Sequence, residues 1–344
     1  MASAVVRAIL LAGIAALSAG CVSSLLARRV VSAPNKSGIP PLFANWEVIK
    51  HAPEAFAVTW TVDMPAPPAT IAVASVEPGD YGFVYDMRLE YPEGKAPKVA
   101  SFNASFRPAS ERVPASGPSR GTILLLHGYL QNRNSLTPWA VRLAQAGFRC
   151  VLMDLRGQGS STGDHISFGV FEARDVSRIL DDLGRRGWDV AHVGILGVSY
   201  GASVALLAAG NDPRVASVVA FEPFASAERA VPELMRAAFA SDARGITDRQ
   251  FATAHLKEAR IAGFSWTDAD IPAALARSHA PVLFFHGEQD TWIPPSHSLE
   301  LMKHAPHGSR LMLVPRETHL SLPLQIDPFA DQVVAWFDAG FKAH

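Results

Sequence analysis

The chain has 344 residues, of which 49% are hydrophobic and 18% are charged, and its formal net charge at pH 7 is −1. This composition is globular, and the absence of a lysine or arginine block gives no reason to expect a nucleic-acid partner. The two cysteines, Cys21 and Cys150, exclude a disulfide framework. No Cys/His cluster has zinc-like spacing, so we expect no metal and no cofactor.

The N-terminal segment predicts export. Arg7 precedes an apolar run, Ala8–Leu17, that is short for a bilayer span but suits a signal peptide. The following L-S-A-G-C resembles the lipobox of bacterial lipoproteins, although Ser18 stands where that pattern usually has Leu, Val or Ile. The resemblance implies a signal peptide at residues 1–20 and a lipid on Cys21, which would attach the protein to the membrane of the cell envelope. The alternatives are secretion without lipid and an uncleaved signal anchor.

Residues 21–41 are polar, contain Pro and Ser, and predict a tether between membrane and folded body. The part from there to about Pro118 predicts strands, because its segments alternate or are β-rich. We expect these strands to form the antiparallel edge of a larger sheet within one domain, residues 42–344. The predicted strands are Ala55–Val62, Ile71–Val76, Phe83–Glu90 and Val99–Phe106.

From Gly121 onward, buried strands alternate with amphipathic helices, which predicts a mostly parallel sheet covered by helices on both faces. Cys150 lies in one of these strands and is expected to be a buried thiol. The predicted strands are Gly121–His127, Phe148–Asp154, Val193–Val198, Val215–Phe221, Pro281–His286 and Ser309–Val314, and the predicted helices are Leu136–Ala146, Phe171–Leu183 and Pro328–Phe341.

The interval between Phe221 and Pro281, about sixty residues, is longer than an ordinary strand–helix connection. A helical stripe that includes Val231 and Leu234 lies in it, and Thr247 with Gln250 resembles a capping box. We therefore predict a helical lid at about residues 222–275. The alternative is a plain pair of crossover helices.

The segment around Ser199 combines a buried strand, the pattern G-x-S-x-G and a helix. Gly197 and Gly201 permit a close strand–helix approach while the serine lies on a strained turn, beside free N–H groups at the helix N-terminus. The alternative is a tight turn with an inert serine. Whether Ser199 is a nucleophile depends on the side chains near it, because a serine hydroxyl needs a base to take its proton and the base needs an acid to orient it.

Two candidate partners follow later strands, Asp290 as acid and His319 as base. Carboxyl ends of parallel strands meet at one edge of a sheet, so these side chains are expected to converge with Ser199. Glu288 is the alternative acid, and Glu317 is expected to be a solvated loop charge. The order serine, acid, histidine is that of one hydrolase fold.

These motifs carry a resemblance to the α/β-hydrolase superfamily, over the chain from about Gly121 to its end. L-L-L-H-G-Y resembles its oxyanion-loop strand, D-L-R-G-Q-G-S-S the loop after its fourth strand, G-V-S-Y-G its nucleophile elbow and H-G-E-Q-D its acid loop. The segment Phe168–Val176 resembles the branch of serine aminopeptidases and lysophospholipase-like esterases. Apart from the lipobox, the first 120 residues carry no resemblance to a known family.

The resemblance implies that Ser199 attacks an acyl carbon, that His319 transfers the proton, and that Asp290 orients the imidazole. The backbone N–H groups of Tyr129 and Tyr200 would form the oxyanion hole. Serine at the elbow, where dehalogenases and epoxide hydrolases have aspartate, implies acyl transfer. Structural or surface roles are expected for the remaining singled-out histidines, His127, His165, His192 and His286.

We therefore expect a serine hydrolase acting on small-molecule carboxylic esters, with an acyl or otherwise hydrophobic group. A second hypothesis is an aminopeptidase of the same fold, in which Glu222, Glu228 or Glu233 would bind the substrate amine. A third is a binding module without catalysis, which a complete triad disfavours because such modules usually lack part of it.

Overall fold

The computed structural model describes residues 19–37, 42, 46–93, 98–107, 111–191 and 193–342. Within these residues the strands, in chain order, are β1 (Val58–Pro65), β2 (Pro68–Val76), β3 (Gly79–Asp80), β4 (Val84–Glu90), β5 (Lys98–Ser105), β6 (Val113–Pro114), β7 (Thr122–Leu126), β8 (Arg149–Met153), β9 (Val193–Val198), β10 (Val215–Phe221), β11 (Val282–Gly287) and β12 (Arg310–Val314).

The main sheet has the order β1-β2-β8-β7-β9-β10-β11-β12 among the described strands. β1 and β2 pair antiparallel at one edge, and the other six strands, β7 to β12, run parallel to one another. Chain order reverses at β7, which lies between β8 and β9. A crevice at such a reversal, at the carboxyl ends of the strands, is where open parallel sheets bind ligands.

Helices cover both faces of this sheet. The described α-helices, not all of which lie on the sheet, are α1 (Ala19–Val31), α2 (Pro34–Ser37), α3 (Glu47–His51), α4 (Thr137–Gln145), α5 (Val170–Arg185), α6 (Tyr200–Asn211), α7 (Ala227–Ala238), α8 (Ala240–Ala243), α9 (Asp248–Ala262), α10 (Ile271–Arg277), α11 (Ser296–Met302) and α12 (Ile326–Lys342). Leu124 and Leu125 are neighbours in β7, yet they belong to separate buried clusters on the two faces. This two-sided burial explains why the parallel strands are continuous apolar runs.

The prediction of an antiparallel edge is correct for β1 and β2 and wrong for the later N-terminal strands. β4 and β5 pair only with each other among the described strands, and β3 pairs with β6. Tyr85 of β4 is buried, and its hydroxyl donates to the Leu324 carbonyl at 2.6 Å. The β4–β5 hairpin is thus a separate layer beside the loop that leads into α12.

The segment predicted as a tether is folded in its described part. α1 packs against α9, where Leu26 and Ala27 form a buried cluster with Phe251 and Ala254. Beyond α1, the Ala33 N–H donates to the Asp164 carbonyl at 3.0 Å. A tether would leave this backbone in solvent, whereas here apolar contacts and hydrogen bonds fix residues 19–37 to the body. The predicted signal peptide lies outside the described residues, except for its last two positions.

The long interval after β10 contains α7, α8, α9 and α10, so the predicted helices are present. The Thr247 side chain accepts from the Gln250 N–H, as the capping box predicts. α10 packs against α6 and therefore belongs to the helical layer of the sheet. None of the described helices is long and apolar enough to cross a membrane.

Candidate active site

Ser199 lies at the sharp turn between β9 and α6. Its backbone has φ 52° and ψ −114°, a conformation that a residue with a side chain rarely adopts. Its N–H donates to the Phe221 carbonyl at 2.7 Å. A Cβ at Gly197 would lie 2.5 Å from the Gly201 carbonyl oxygen, so only glycine permits this approach of strand and helix. The turn directs the serine hydroxyl away from the sheet, and the strain is concentrated where the sequence predicts the nucleophile.

The three predicted catalytic side chains meet at the carboxyl ends of β9, β11 and β12. The Ser199 Oγ lies 2.8 Å from His319 Nε2, and His319 Nδ1 lies 2.7 Å from Asp290 Oδ2. Hydrogen bonds at both ring nitrogens require Nδ1 to donate to the carboxylate and Nε2 to accept from the hydroxyl. Glu288, the alternative acid, is exposed.

Asp290 is buried and ionised. Its Oδ1 accepts from the N–H groups of Trp292 and Ile293, both at 2.9 Å. Although burial opposes ionisation, the charge and hydrogen bond of His319 and those of His286 hold the pKa of Asp290 well below its usual value. His286 is itself structural, because its ring nitrogens contact the Ser298 hydroxyl and the Ile293 carbonyl, each at 2.7 Å.

The loop that carries His319 is held by Glu317, and the expectation of a solvated charge at that position is wrong. The Glu317 side chain is buried and accepts hydrogen bonds from Tyr91, Ser321 and Gln325. Three donors to one carboxylate compensate the cost of burying it. Glu317 thus fixes the loop beside the histidine and does not replace Asp290.

The predicted oxyanion donors lie beside Ser199. Tyr200 is the first residue of α6, so its N–H has no partner within the helix. Tyr129 follows β7, the neighbour of β9, and lines the same cavity as Ser199. His127 shapes this loop, since its Nδ1 donates to the Gly128 carbonyl at 2.8 Å and its Nε2 accepts from the Leu155 N–H at 3.0 Å. Burial lowers the pKa of His127 and keeps it neutral.

Glu222 is a residue whose place in the site was not predicted. It follows β10 directly and has φ 53°, and its carboxylate lies 3.7 Å from His319 Nδ1. It is fully buried, and among the described residues its carboxylate has only a weak contact with the Gly287 N–H. Burial, together with the charge of Asp290, raises the pKa of Glu222 well above its usual value. The sequence did contain a signal for this placement, because Glu222 follows the carboxyl end of a predicted strand, as Asp290 and His319 do.

Replacing Glu222 by glutamine is expected to flatten the decline of stability at alkaline pH. Because the pKa of Glu222 is higher in the folded chain, its stabilising contribution is complete below the unfolded pKa and is lost as pH rises through the folded pKa. Glutamine mimics the protonated form and has no such loss. As pH rises above the unfolded pKa of a glutamate, we expect the fall in the unfolding midpoint to be ~2–4 °C smaller than in the unaltered protein.

Thermal denaturation at several pH values measures this difference. The exposed Glu228 provides the control, since Glu228→Gln removes a carboxylate of the same type from solvent. Parallel stability–pH curves for Glu222→Gln and the unaltered protein would contradict the assignment of a proton to Glu222.

A mostly apolar cavity of about 390 Å³ opens at the Ser199 hydroxyl. Its floor consists of residues around the nucleophile, including Tyr129, Tyr200 and Phe224. Its walls include α7, through Ala230, Val231 and Leu234, and α1, through Val22, Leu26 and Val30. The site can therefore accept an apolar group next to the reactive hydroxyl.

The remaining predicted residues lie apart from this chemistry. Cys150 is buried in β8, as predicted, and Cys21 is exposed on α1. His165 forms an isolated backbone bridge with Ser32. His192 lies outside the described residues.

Comparison with known proteins agrees with this architecture. A family model described as the alpha/beta hydrolase fold matches residues 121–272. This chain has the α/β-hydrolase fold. An esterase from Pyrococcus furiosus superimposes on it with a TM-score of 0.51 and 17% identity, over 76% of this chain and 92% of that one. A membrane phospholipase A described as a bacterial virulence factor superimposes with a TM-score of 0.54 and 16% identity, over 85% and 89% of the two chains.

The chain also resembles a curated relative, the uncharacterized protein YqkD of Bacillus subtilis (strain 168). The two are 26% identical over 195 residues, which are 56% of this chain and 62% of that protein. The match thus spans less than two thirds of the relative.

Proposed function

We propose that this protein is a serine hydrolase that cleaves carboxylic esters with apolar acyl groups. The observation that carries the proposal is the continuous hydrogen-bonded series from Ser199 Oγ through His319 to Asp290, at 2.8 and 2.7 Å, at the mouth of an apolar cavity. A serine within hydrogen-bond reach of an oriented imidazole is the arrangement that nucleophilic acyl transfer needs.

In the acylation step, Ser199 Oγ attacks the ester carbonyl carbon while its proton passes to His319 Nε2. The carbonyl oxygen becomes negative and accepts from the Tyr129 and Tyr200 N–H groups, each donor contributing about 3 kcal/mol in the transition state. The bond to the leaving alcohol then breaks, and Nε2 gives its proton to the departing oxygen. The acyl group remains on Ser199.

Water completes the cycle by the same route. It attacks the acyl carbon, gives its proton to His319 Nε2, and the carboxylic acid leaves as the proton returns to Ser199 Oγ. In both steps Asp290 remains ionised and stabilises the imidazolium, because its carboxylate accepts from Nδ1–H. The low pKa of Asp290 supports this role.

The substrate class follows from the cavity. Its wall carries few polar side chains, among them Arg29 and Asp242, so an apolar acyl group gains more from entering than a polar one. The superimposed structures described as an esterase and a phospholipase A support the same choice.

The peptidase alternative requires an acid that faces the cavity and can bind an amine. Glu222 lies buried behind His319, and Glu233 is paired with His297 at 2.7 Å. Glu228 is exposed, and a carboxylate that does line the cavity is Asp242. The three acids that the sequence suggested therefore do not face the cavity, and the peptidase alternative would have to use Asp242.

We also propose that the protein is exported and carries a lipid on Cys21. This proposal rests on the L-S-A-G-C sequence and on the exposure of Cys21 at the start of α1. Mass spectrometry of the mature protein tests it. An acylated N-terminal Cys21 is expected, and an unmodified N-terminus at any other residue contradicts the proposal.

A fluorophosphonate probe tests the catalytic assignment directly, because it reacts with activated serines. We expect the probe to label the protein and Ser199→Ala to abolish labelling, whereas Ser160→Ala, in the loop after β8, leaves it intact. Comparing p-nitrophenyl esters with aminoacyl naphthylamides separates the two activities. Labelling that persists in Ser199→Ala would refute the nucleophile, and amide cleavage without ester cleavage would favour the peptidase.

A further inference from the structure

We propose that α1 forms one wall of the acyl-chain site and thereby sets which chain lengths the enzyme accepts. This inference rests on the proposed ester hydrolysis. The cavity that begins at Ser199 extends to α1, where Val22, Leu26 and Val30 line it. An acyl chain attached to Ser199 Oγ would therefore extend between α1 and α7.

α1 is fixed firmly enough to act as a wall. Leu26 and Ala27 are buried against α9, and the Lys257 ammonium donates to the Ser24 hydroxyl at 2.8 Å. A second helical wall of the cavity is α7, through Ala230 and Val231. Since both walls are helices with apolar side chains, each methylene of a chain buried beside them favours binding about fourfold. Chain-length preference is therefore sensitive to the size of α1 residues.

The test compares two tryptophan substitutions on the same helix. Val22→Trp places a ring in the cavity, whereas Arg28→Trp places the same ring on the exposed side of α1. The readout is the ratio of kcat/KM for p-nitrophenyl decanoate to that for p-nitrophenyl acetate. We expect Val22→Trp to lower this ratio at least tenfold, and Arg28→Trp to leave it within twofold of the unaltered protein.

The outcomes separate this inference from the proposed function. If Ser199 is labelled and acetate is cleaved, but the ratio in Val22→Trp stays within twofold, the α1 wall is wrong and the ester hydrolase stands. If no ester is cleaved and Ser199 is not labelled, the proposed function itself fails. Fluorophosphonate labelling of Val22→Trp shows that the variant is folded.

A different observation carries a second inference: we propose that Glu222 is a reserve acid for His319. Its carboxylate lies 3.7 Å from Nδ1, against 2.7 Å for Asp290, and among the described residues only a weak contact with the Gly287 N–H reaches it. A buried carboxyl without a strong hydrogen bond and a positive φ on the same residue each cost stability, and such costs concentrate at functional sites. Two carboxylates this close cannot both be ionised easily, so Glu222 keeps its proton while Asp290 is charged.

Removing the charge of Asp290 changes this balance. In Asp290→Asn, burial still favours protonated Glu222 but the repulsion from Asp290 is gone, so Glu222 releases its proton to water at a lower pH than before, and its carboxylate then accepts from Nδ1–H of His319. A triad that loses its acid with no replacement loses about 10⁴-fold in kcat. We expect Asp290→Asn to lose only about 10²-fold, with activity rising with pH as Glu222 ionises.

A double-mutant cycle tests the reserve acid. The effect of Glu222→Gln on kcat is measured in the unaltered protein and in Asp290→Asn, and we expect it to be at least tenfold larger in the second background. The alkaline rise of Asp290→Asn activity should also disappear in the double variant. Equal effects in both backgrounds, with all variants folded by thermal denaturation, would overturn the proposal, because a merely structural role predicts no coupling and no change in pH profile.

Discussion

Replacing His319 by alanine is expected to lower kcat for ester hydrolysis by about 10⁴- to 10⁶-fold. The imidazole is the group that lies within reach of both the Ser199 hydroxyl and the Asp290 carboxylate. Without it the hydroxyl keeps its proton, and only the oxyanion donors and substrate binding still accelerate the reaction. Steady-state kinetics with a short ester measures the loss.

The exposed His304 provides the control for this substitution. His304→Ala removes a histidine of the same chemistry from the surface, and its kcat should stay within about twofold of the original. Ser199→Ala combined with His319→Ala should be no worse than either change alone, because the two residues act as a unit. If His319→Ala kept more than about one hundredth of the activity, the base would have to be another group.

The second large effect is expected at Gly201, where alanine should prevent stable folding. A Cβ at this position would lie 2.1 Å from the Leu126 carbonyl oxygen and 2.6 Å from that of His127. Both obstacles are backbone atoms of the strand that leads to the oxyanion loop, so no side-chain rotation relieves the clash. We expect the free energy of unfolding to fall by about 4 kcal/mol or more, as measured by chemical denaturation.

Gly184 gives the matched comparison, because the same single methyl group is added there without a clash. Its Cβ would lie 3.4 Å from a Val190 methyl carbon, within α5. Alanine favours a helix by up to about 1 kcal/mol over glycine, so Gly184→Ala should equal or exceed the original stability. If Gly201→Ala were as stable as Gly184→Ala, α6 would be able to move away from the end of β7. The close approach at Gly201 would then not be required for folding.

The parallel half of the fold and the catalytic residues were predictable because their signals are local. Continuous apolar runs define β7 to β12, and β10 has the bounds that the sequence predicts, Val215–Phe221. Ser199, Asp290 and His319 each follow such a strand, and strand ends converge in a parallel sheet. Topology therefore brings together residues that are far apart in the sequence.

The features that were missed depend on tertiary contacts. α1 has apolar residues at helical spacing, Val22, Leu26 and Val30, but its arginines and serines favoured a tether. Its partner α9 follows more than two hundred residues later, so no local sequence pattern predicts the contact between the two helices. Glu317 and Glu222 are ordinary charged residues in the sequence. Glu317 is buried among the donors Tyr91, Ser321 and Gln325. Glu222 is buried by its packing behind His319.

The packing of α1 on α9 also decides where a recombinant version of this protein should start. Trimming the leader back to Pro34, a natural choice if the preceding residues were dispensable, would strip Leu26 and Ala27 from Phe251 and Ala254 and leave the acyl cavity open to water on that side. Such a truncated preparation would be expected to aggregate more readily and to discriminate poorly among esters. Expression beginning at Ala19 or Cys21 preserves the pocket intact.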